Sequence, residues 1–304
     1  MKYWVGLTDK KWFDYLTRLA PDEVNFWQPG GNRAFRAIVP GSPFLFKLHS
    51  PLNYIVGGGH FVRFSALPIS LAWEAFKEKN GAPNLEVLRD LIRKHRGAGR
   101  DAEHDPVIGC IILNAPFFFG EGHWIPIPED WPRGIQQGKS YDSSEANGRR
   151  LWDKVKEKIG LSKELAAEES PRYGSLYLAR VRLGQGAFRV LVTEAYNRRC
   201  AVTGERTLPV LEAAHIKPYS ESGPNETANG LLMRSDLHKL LDLGYVTLTT
   251  DFRMEVSKRI REEYENGRDY YALHGRSLVV VPSSPNDRPA HKFLQWHNQH
   301  VFLG

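Results

Sequence analysis

The sequence predicts an α+β protein of two folded units joined by a helical connector, and three observations predict it. Residues 1–140 alternate short apolar runs with amphipathic stretches, the mark of strands and helices sharing one core. A tract rich in proline, glycine and polar residues, Pro126 to Ser144, then interrupts the pattern. Beyond it, residues 200–249 carry a strand–loop–helix pattern with polar residues at its joints. The expected division is residues 1–140 as the first domain, 141–180 as a helical linker and 181–304 as the second domain; 304 residues suffice for two separate cores.

In chain order, strands are expected at Tyr3–Leu7, Phe35–Val39, Phe44–Leu48, His60–Phe64 and Val107–Leu113. Pro29-Gly30-Gly31, Pro40-Gly41 and Gly57-Gly58-Gly59 punctuate them. A helix is predicted over Ile69–Glu78, stopping at Asn80-Gly81. A second follows Asn84, sets Leu85, Leu88, Leu91 and Ile92 on one face, and ends at Gly97. The linker helix places Leu151, Trp152, Val155 and Ile159 together and ends at Gly160. After polar residues 162–174 comes a helix buried through Phe188, Leu191, Val192, Ala195 and Tyr196. The apolar run Val210–Ile216 reads as a strand, Ser235-Asp236 as a helix start, and Tyr245–Thr250, Met254–Lys258 and Leu278–Val281 as strands before a terminal helix after Pro289.

Composition narrows the function. No run of 18 apolar residues occurs, and MKYWVGLTDKKWF lacks the apolar core of a signal peptide. Cys110 and Cys200 are the two cysteines, too few for a disulfide framework or a four-thiolate zinc site, so a reducing cytoplasm is expected. The net charge of +6 is modest, but the window from Arg172 to Arg206 holds seven arginines (172, 180, 182, 189, 198, 199 and 206) against Glu194 and Glu205. Such a concentration suits phosphate docking, with Arg180, Arg182, Arg189, Arg198 and Arg199 as the DNA-binding candidates.

That window leads into the chemistry. His215, Asn229 and His238 occur at intervals of 14 and 9 residues. Hydrolysis of a phosphodiester requires a base to deprotonate water and a cation to stabilise the charged oxygens. Imidazole titrates near neutral pH and suits the base. Asp242 lies four residues after His238, on the same helix face, where the two could share a cation. Singly, each residue has an ordinary explanation: a surface histidine, an Asn-Gly turn, a helix-end aspartate. Their joint spacing, AHI-x-P and NGL-x₅-LH-x₃-D, resembles the HNH nucleases of the ββα-metal type. The resemblance implies His215 as general base, Asn229 as the residue that fixes the loop and orients the base, and His238 with Asp242 as ligands of Mg²⁺, Mn²⁺ or another transition metal. One position departs from the family: the ligand that often precedes the base is Ala214 here. Glu212 is the nearest carboxylate, and on a regular strand it faces opposite His215, so a bulge is expected if it is to reach the ion. His291, His297 and His300 match no ligand spacing.

The first domain carries aromatic and glycine-rich patches: Asn25 to Pro29, Phe44 to Ser50, and Tyr54 to Phe61. Aromatics on strands can sandwich a planar ring while backbone amides read its edge. The YW, FW and FLFKLHSP segments resemble the PUA-like β-barrels, which include EVE and SRA domains. That resemblance implies a barrel with flanking helices that holds a modified base, with Trp27, Lys47, His49, Asn53 and Tyr54 as pocket candidates. A base reader fused to an HNH nuclease resembles the modification-dependent restriction endonucleases. It implies cleavage of double-stranded DNA containing 5-methylcytosine or 5-hydroxymethylcytosine, as on invading phage DNA. One ββα-metal site cuts one strand, so a homodimer is the simplest double-strand cutter. Two other readings stay open on sequence. One is an HNH nicking or toxin-type DNase with an unrelated partner domain. The other is an inactive modified-nucleic-acid binding protein, should Ala214 cost it the metal.

Overall fold

The computed structural model describes residues 1–31, 33–96, 104–132, 134–167 and 183–304, with the helix backbone alone over 161–167. The chain divides into two compact units, Met1–Arg182 and Leu183–Gly304. The class is α+β.

The first unit is built on β1 (Lys2–Thr8), α1 (Lys10–Leu19), β2 (Glu23–Gln28), β3 (Pro43–Leu48), β4 (Tyr54–Pro68), α2 (Ile69–Phe76), α3 (Leu85–Arg96), β5 (Val107–Phe118), β6 (Ile125–Pro126), β7 (Gly138–Asp142) and α4 (Ala146–Ala167). Its seven strands form one sheet in the order β2-β5-β4-β3-β1-β7, with β6 also paired to β4. The sheet is open, not the closed barrel the sequence led us to expect: β2 and β7 end the hydrogen-bonded path and do not pair with each other. β1 and β3 are parallel, while the other strand pairs of this sheet are antiparallel. β4 shifts register against β5 between Gly58 and His60 and again between Phe61 and Arg63, and such bulges bend a long strand.

Two apolar clusters flank this sheet. One gathers Trp12, Phe13 and Leu16 of α1 with Phe26, Phe44, Phe46, Ile111 and Leu113. The other gathers Tyr3, Val5, Leu45, Ile55 and Tyr141 with Leu151 and Val155 of α4. The predicted strand Phe35–Val39 is a loop; Phe35 instead sends its ring edge-on to Trp4 and Phe61, so its hydrophobicity reflects packing rather than pairing. α4 runs through Gly160 rather than ending there. A glycine costs a helix interior only about 1 kcal/mol, too little to stop one.

The second unit contains α5 (Gln185–Ala195), β8 (Leu211–His215), β9 (Gly230–Arg234), α6 (Ser235–Asp242), β10 (Val246–Leu248), β11 (Met254–Val256), α7 (Arg259–Tyr264), α8 (Arg268–Tyr271) and α9 (His291–His300). β8 and β9 form an antiparallel ribbon from Leu211↔Arg234 to His215↔Gly230, and α6 follows β9 directly: a ββα unit. Its core joins Phe188, Val192 and Tyr196 of α5 to Leu231, Leu232, Met233, Leu237 and Leu241. Leu278–Val281 is not a strand; Ser277 makes a single bridge to Arg253. No helix among the described residues is long and apolar enough to cross a membrane.

Candidate active site

His215 ends β8, and its ring lies flat on Phe188 of α5, with centroids 3.9 Å apart and planes 11° apart. Asn225 fixes its orientation. The Asn225 amide donates through Nδ2 to the Leu183 carbonyl at 2.8 Å, which turns Oδ1 towards the histidine. His215 Nε2–H then donates to that oxygen at 2.8 Å. The proton sits on Nε2, so Nδ1 keeps its lone pair. Burial is the main influence on the ring and lowers its pKa; the Asn225 hydrogen bond opposes this, the His238 charge lowers it further and Asp242 raises it. With the pKa below the ordinary value of about 6.5, the neutral base persists into mild acid. Cleavage measured against pH should therefore inflect on its acid limb below that value; an inflection above it would contradict the assignment of His215 as the titrating base.

Asn229 acts elsewhere. It is fully buried, and its amide holds the loop between the strands: Oδ1 accepts from Lys217 N at 2.9 Å, and Nδ2 donates to the Lys217 and Pro224 carbonyls at 2.9 and 3.0 Å. These three bonds use both N–H donors and one lone pair of the amide, and the contact to the His215 ring belongs to Asn225, a residue the sequence reading missed. Asn225 lies in an ordinary-looking Pro-Asn step and carries no signal in sequence. Gly230, next to Asn229, has no room for a side chain because Val192 and Phe188 pack against its Cα. Gly223 is required where the loop folds back onto the Lys217 carbonyl.

His238 stands on α6. Its Nδ1–H donates to Glu212 Oε2 at 2.6 Å, and its Nε2 lies 3.4 Å from Asp242 Oδ2. β8 pairs with β9 without a register shift, so the bulge that would carry Glu212 to the ion is absent, and from the regular strand Glu212 meets His238 Nδ1 instead. A carboxylate on one imidazole nitrogen holds the other nitrogen's lone pair available for a cation. Two donors each about 2.1 Å from one ion sit roughly 3.0–3.4 Å apart, and the His238–Asp242 separation falls there. Among the described residues no three His, Cys, Asp or Glu side chains are arranged as a metal cage. The protein's share would therefore be the His238–Asp242 pair, a set that suits a cation bound largely by water and phosphate. Buried His297 holds the far end of α6, its Nε2–H donating to the Leu241 carbonyl at 3.0 Å.

The arginine candidates divide. Arg180 and Arg182, like Arg172, lie outside the described residues. Arg189 is half-buried on α5. Arg198 is offset by Glu194 at 2.7 Å, and Arg199 Nε donates to the Gly204 carbonyl at 3.4 Å. The five pocket candidates do not form one group. Lys47 and Asn53 meet, Nζ to Oδ1 at 2.7 Å, and the Lys47 ammonium lies 5.2 Å from the centre of Trp131. Lys47 is 2% exposed, and burial lowers its pKa. Tyr54 turns towards Trp124 at 5.9 Å. His49 lies 3.9 Å from Asp9. Trp27 donates to the Asn80 carbonyl at 3.0 Å and meets the His95 ring edge-on at 5.8 Å, partners it shares with none of the other four candidates. Trp131 was not singled out in sequence; it sits in the polar tract that reads as a boundary.

Three comparisons bear on this arrangement. No curated protein matches the chain. Among solved structures, one described as a modification dependent TagI restriction endonuclease is similar at 13% identity, covering 92% of this chain and 75% of that one with a TM-score of 0.28; so slight a likeness carries no argument about fold or activity. Residues 200–249 match the HNH endonuclease family, which identifies the ββα segment described above as an HNH endonuclease domain, the module of a DNA-cleaving hydrolase.

Proposed function

We propose that the chain is a divalent-metal-dependent endonuclease that cuts double-stranded DNA containing modified cytosine, with His215 as general base. The observation that carries the nuclease reading is the pinned imidazole: Nε2 spent on Asn225, Nδ1 without a partner among the described residues, beside a histidine–aspartate pair spaced for a cation. In the reaction, His215 Nδ1 accepts a proton from water as the water oxygen bonds to phosphorus. The bond from phosphorus to the 3′ oxygen breaks, and that oxygen leaves to be protonated by solvent. Phe188 and Asn225 keep the imidazole from rotating, so its lone pair meets the water in one orientation. His238 and Asp242 would hold the cation, which supplies charge for the phosphate oxygens, while Glu212 keeps His238 in the right tautomer. Glu212 supplies no ligand at the Ala214 position; it supports His238 from β8, and the remaining coordination would fall to water and phosphate.

The first unit is proposed to supply discrimination, since backbone chemistry carries little sequence information. Lys47, Asn53, Trp131 and Tyr54 are the residues we assign to reading the base, in place of the wider set that includes Trp27 and His49. A pocket that distinguishes one methyl or hydroxymethyl group contributes about 1–3 kcal/mol, so discrimination of about 10- to 200-fold is expected. A homodimer would bring two HNH sites to the two strands. Digesting matched plasmids that carry cytosine, 5-methylcytosine or 5-hydroxymethylcytosine tests this. At least one modified plasmid should be cut within that margin faster than the unmodified one; equal rates on all three would remove the base-reading claim and leave the nuclease claim standing.

A further inference from the structure

Lys217 is the second residue past His215, and Asn229 grips both sides of its backbone, accepting from its N–H and donating to its carbonyl. Its ammonium lies over the indole of Trp296 on α9, 5.0 Å from the ring centre. Trp296 is itself held by stacking on His300 at 5.0 Å and 10°. Several cations of this unit face carboxylates: Arg198 meets Glu194, Arg234 meets Asp236, Arg259 meets Glu263 and Lys292 meets Glu226. Among the described residues Lys217 makes no ion pair. An aromatic face attracts a cation without cancelling its charge or occupying its N–H donors. A flexible lysine normally loses rotamer freedom on binding an anion; here the ring and the pinned backbone have removed much of that freedom beforehand.

We infer that Lys217 contacts a second phosphate on the strand that His215 attacks, with Trp296 as its positioning residue. This rests on the nuclease reading and deepens it by naming the ligand chemistry beside the scissile bond: a nucleic-acid phosphodiester. Charge, location and pre-ordering point the same way. The ammonium is without a carboxylate among the described residues, it extends from the loop that follows His215, and Trp296 of α9 lies beneath it. A contact to one phosphate releases the counterions of one phosphate, so it has its own signature in salt.

The test uses the full chain carrying His215→Ala, so that binding is measured without cleavage, on a duplex that the wild type cuts. Affinity is titrated against salt for this parent and for added Lys217→Gln, Lys217→Arg, Trp296→Leu and Trp296→Phe, with thermal unfolding measured alongside. Lys217→Gln should flatten the slope of log affinity against log salt by about 0.9 and weaken binding about tenfold at low salt. Lys217→Arg should keep the parent slope. Trp296→Leu should weaken binding, and Trp296→Phe should restore it. An unchanged slope in Lys217→Gln overturns the inference, and if unfolding temperature falls at the same time the pair is only a latch between α9 and the loop. A wild type that cuts DNA alongside an unchanged Lys217→Gln slope removes this inference alone. A wild type that neither binds nor cuts removes the nuclease reading with it.

Discussion

The His215→Ala protein is expected to bind duplex DNA as the wild type does and to cut it about 10²–10⁴-fold more slowly. The ring is held in one orientation. Phe188 covers one face, Asn225 takes Nε2–H, and burial keeps the imidazole neutral, so the variant loses a base that is already in its reactive form. Alanine leaves β8 intact, because His215 pairs with Gly230 through backbone alone. Single-turnover cleavage and a gel-shift titration on the same duplex separate the two effects. Wild-type cleavage in the variant would show that another group takes the proton; lost binding would show that His215 holds the fold or the substrate.

Asn229→Ala should do the opposite and act first on stability. The side chain is fully buried and forms three hydrogen bonds to the Lys217 and Pro224 backbone. Removing it takes the amide partner from the Lys217 N–H and from the Lys217 and Pro224 carbonyls at once. An unsatisfied buried group costs about 1–3 kcal/mol, so a loss of roughly 2–4 kcal/mol in unfolding free energy is expected. Activity should fall as well, because the loop that Asn229 closes carries both Lys217 and Asn225. Denaturant unfolding of the variant against the wild type measures the effect. A change below about 0.5 kcal/mol, the range of ordinary surface substitutions, would show that the loop is held by other means.

Much of the second unit was legible because its chemistry is local. His215 to Asp242 spans one ribbon and one helix, and spacing alone brings His215 towards the His238–Asp242 pair when the intervening turns are short. What the sequence hid are contacts that depend on where the loop turns. Asn225 lies ten residues from His215 in chain, with no periodicity to mark it. Glu212 was expected to reach the ion only through a bulge; there is none, but strand alternation describes the direction of Cβ and not the reach of a long side chain, which meets His238 Nδ1 on α6. The first unit was less legible. Its sheet mixes a parallel pair, β1 with β3, into antiparallel pairing, and no local pattern announces such a crossover. β7 lies in the tract whose prolines and glycines read as a boundary, and the aromatics Phe26, Phe44 and Phe46 of β2 and β3 do meet, but packed into the core and not around a pocket.

In the proposed reaction the cation is where base, ligand pair and substrate would meet, so its removal is the most direct test. Supercoiled plasmid containing modified cytosine is incubated with wild type and Asp242→Ala while Mg²⁺ is titrated from a chelated baseline. The account predicts no cleavage under chelator, saturable cleavage by the wild type, and at least about a tenfold higher Mg²⁺ requirement in Asp242→Ala, given that even supporting groups around a metal typically shift affinity 10- to 100-fold. Full-rate cleavage by the wild type in excess chelator, or identical Mg²⁺ curves for the two proteins, would contradict it.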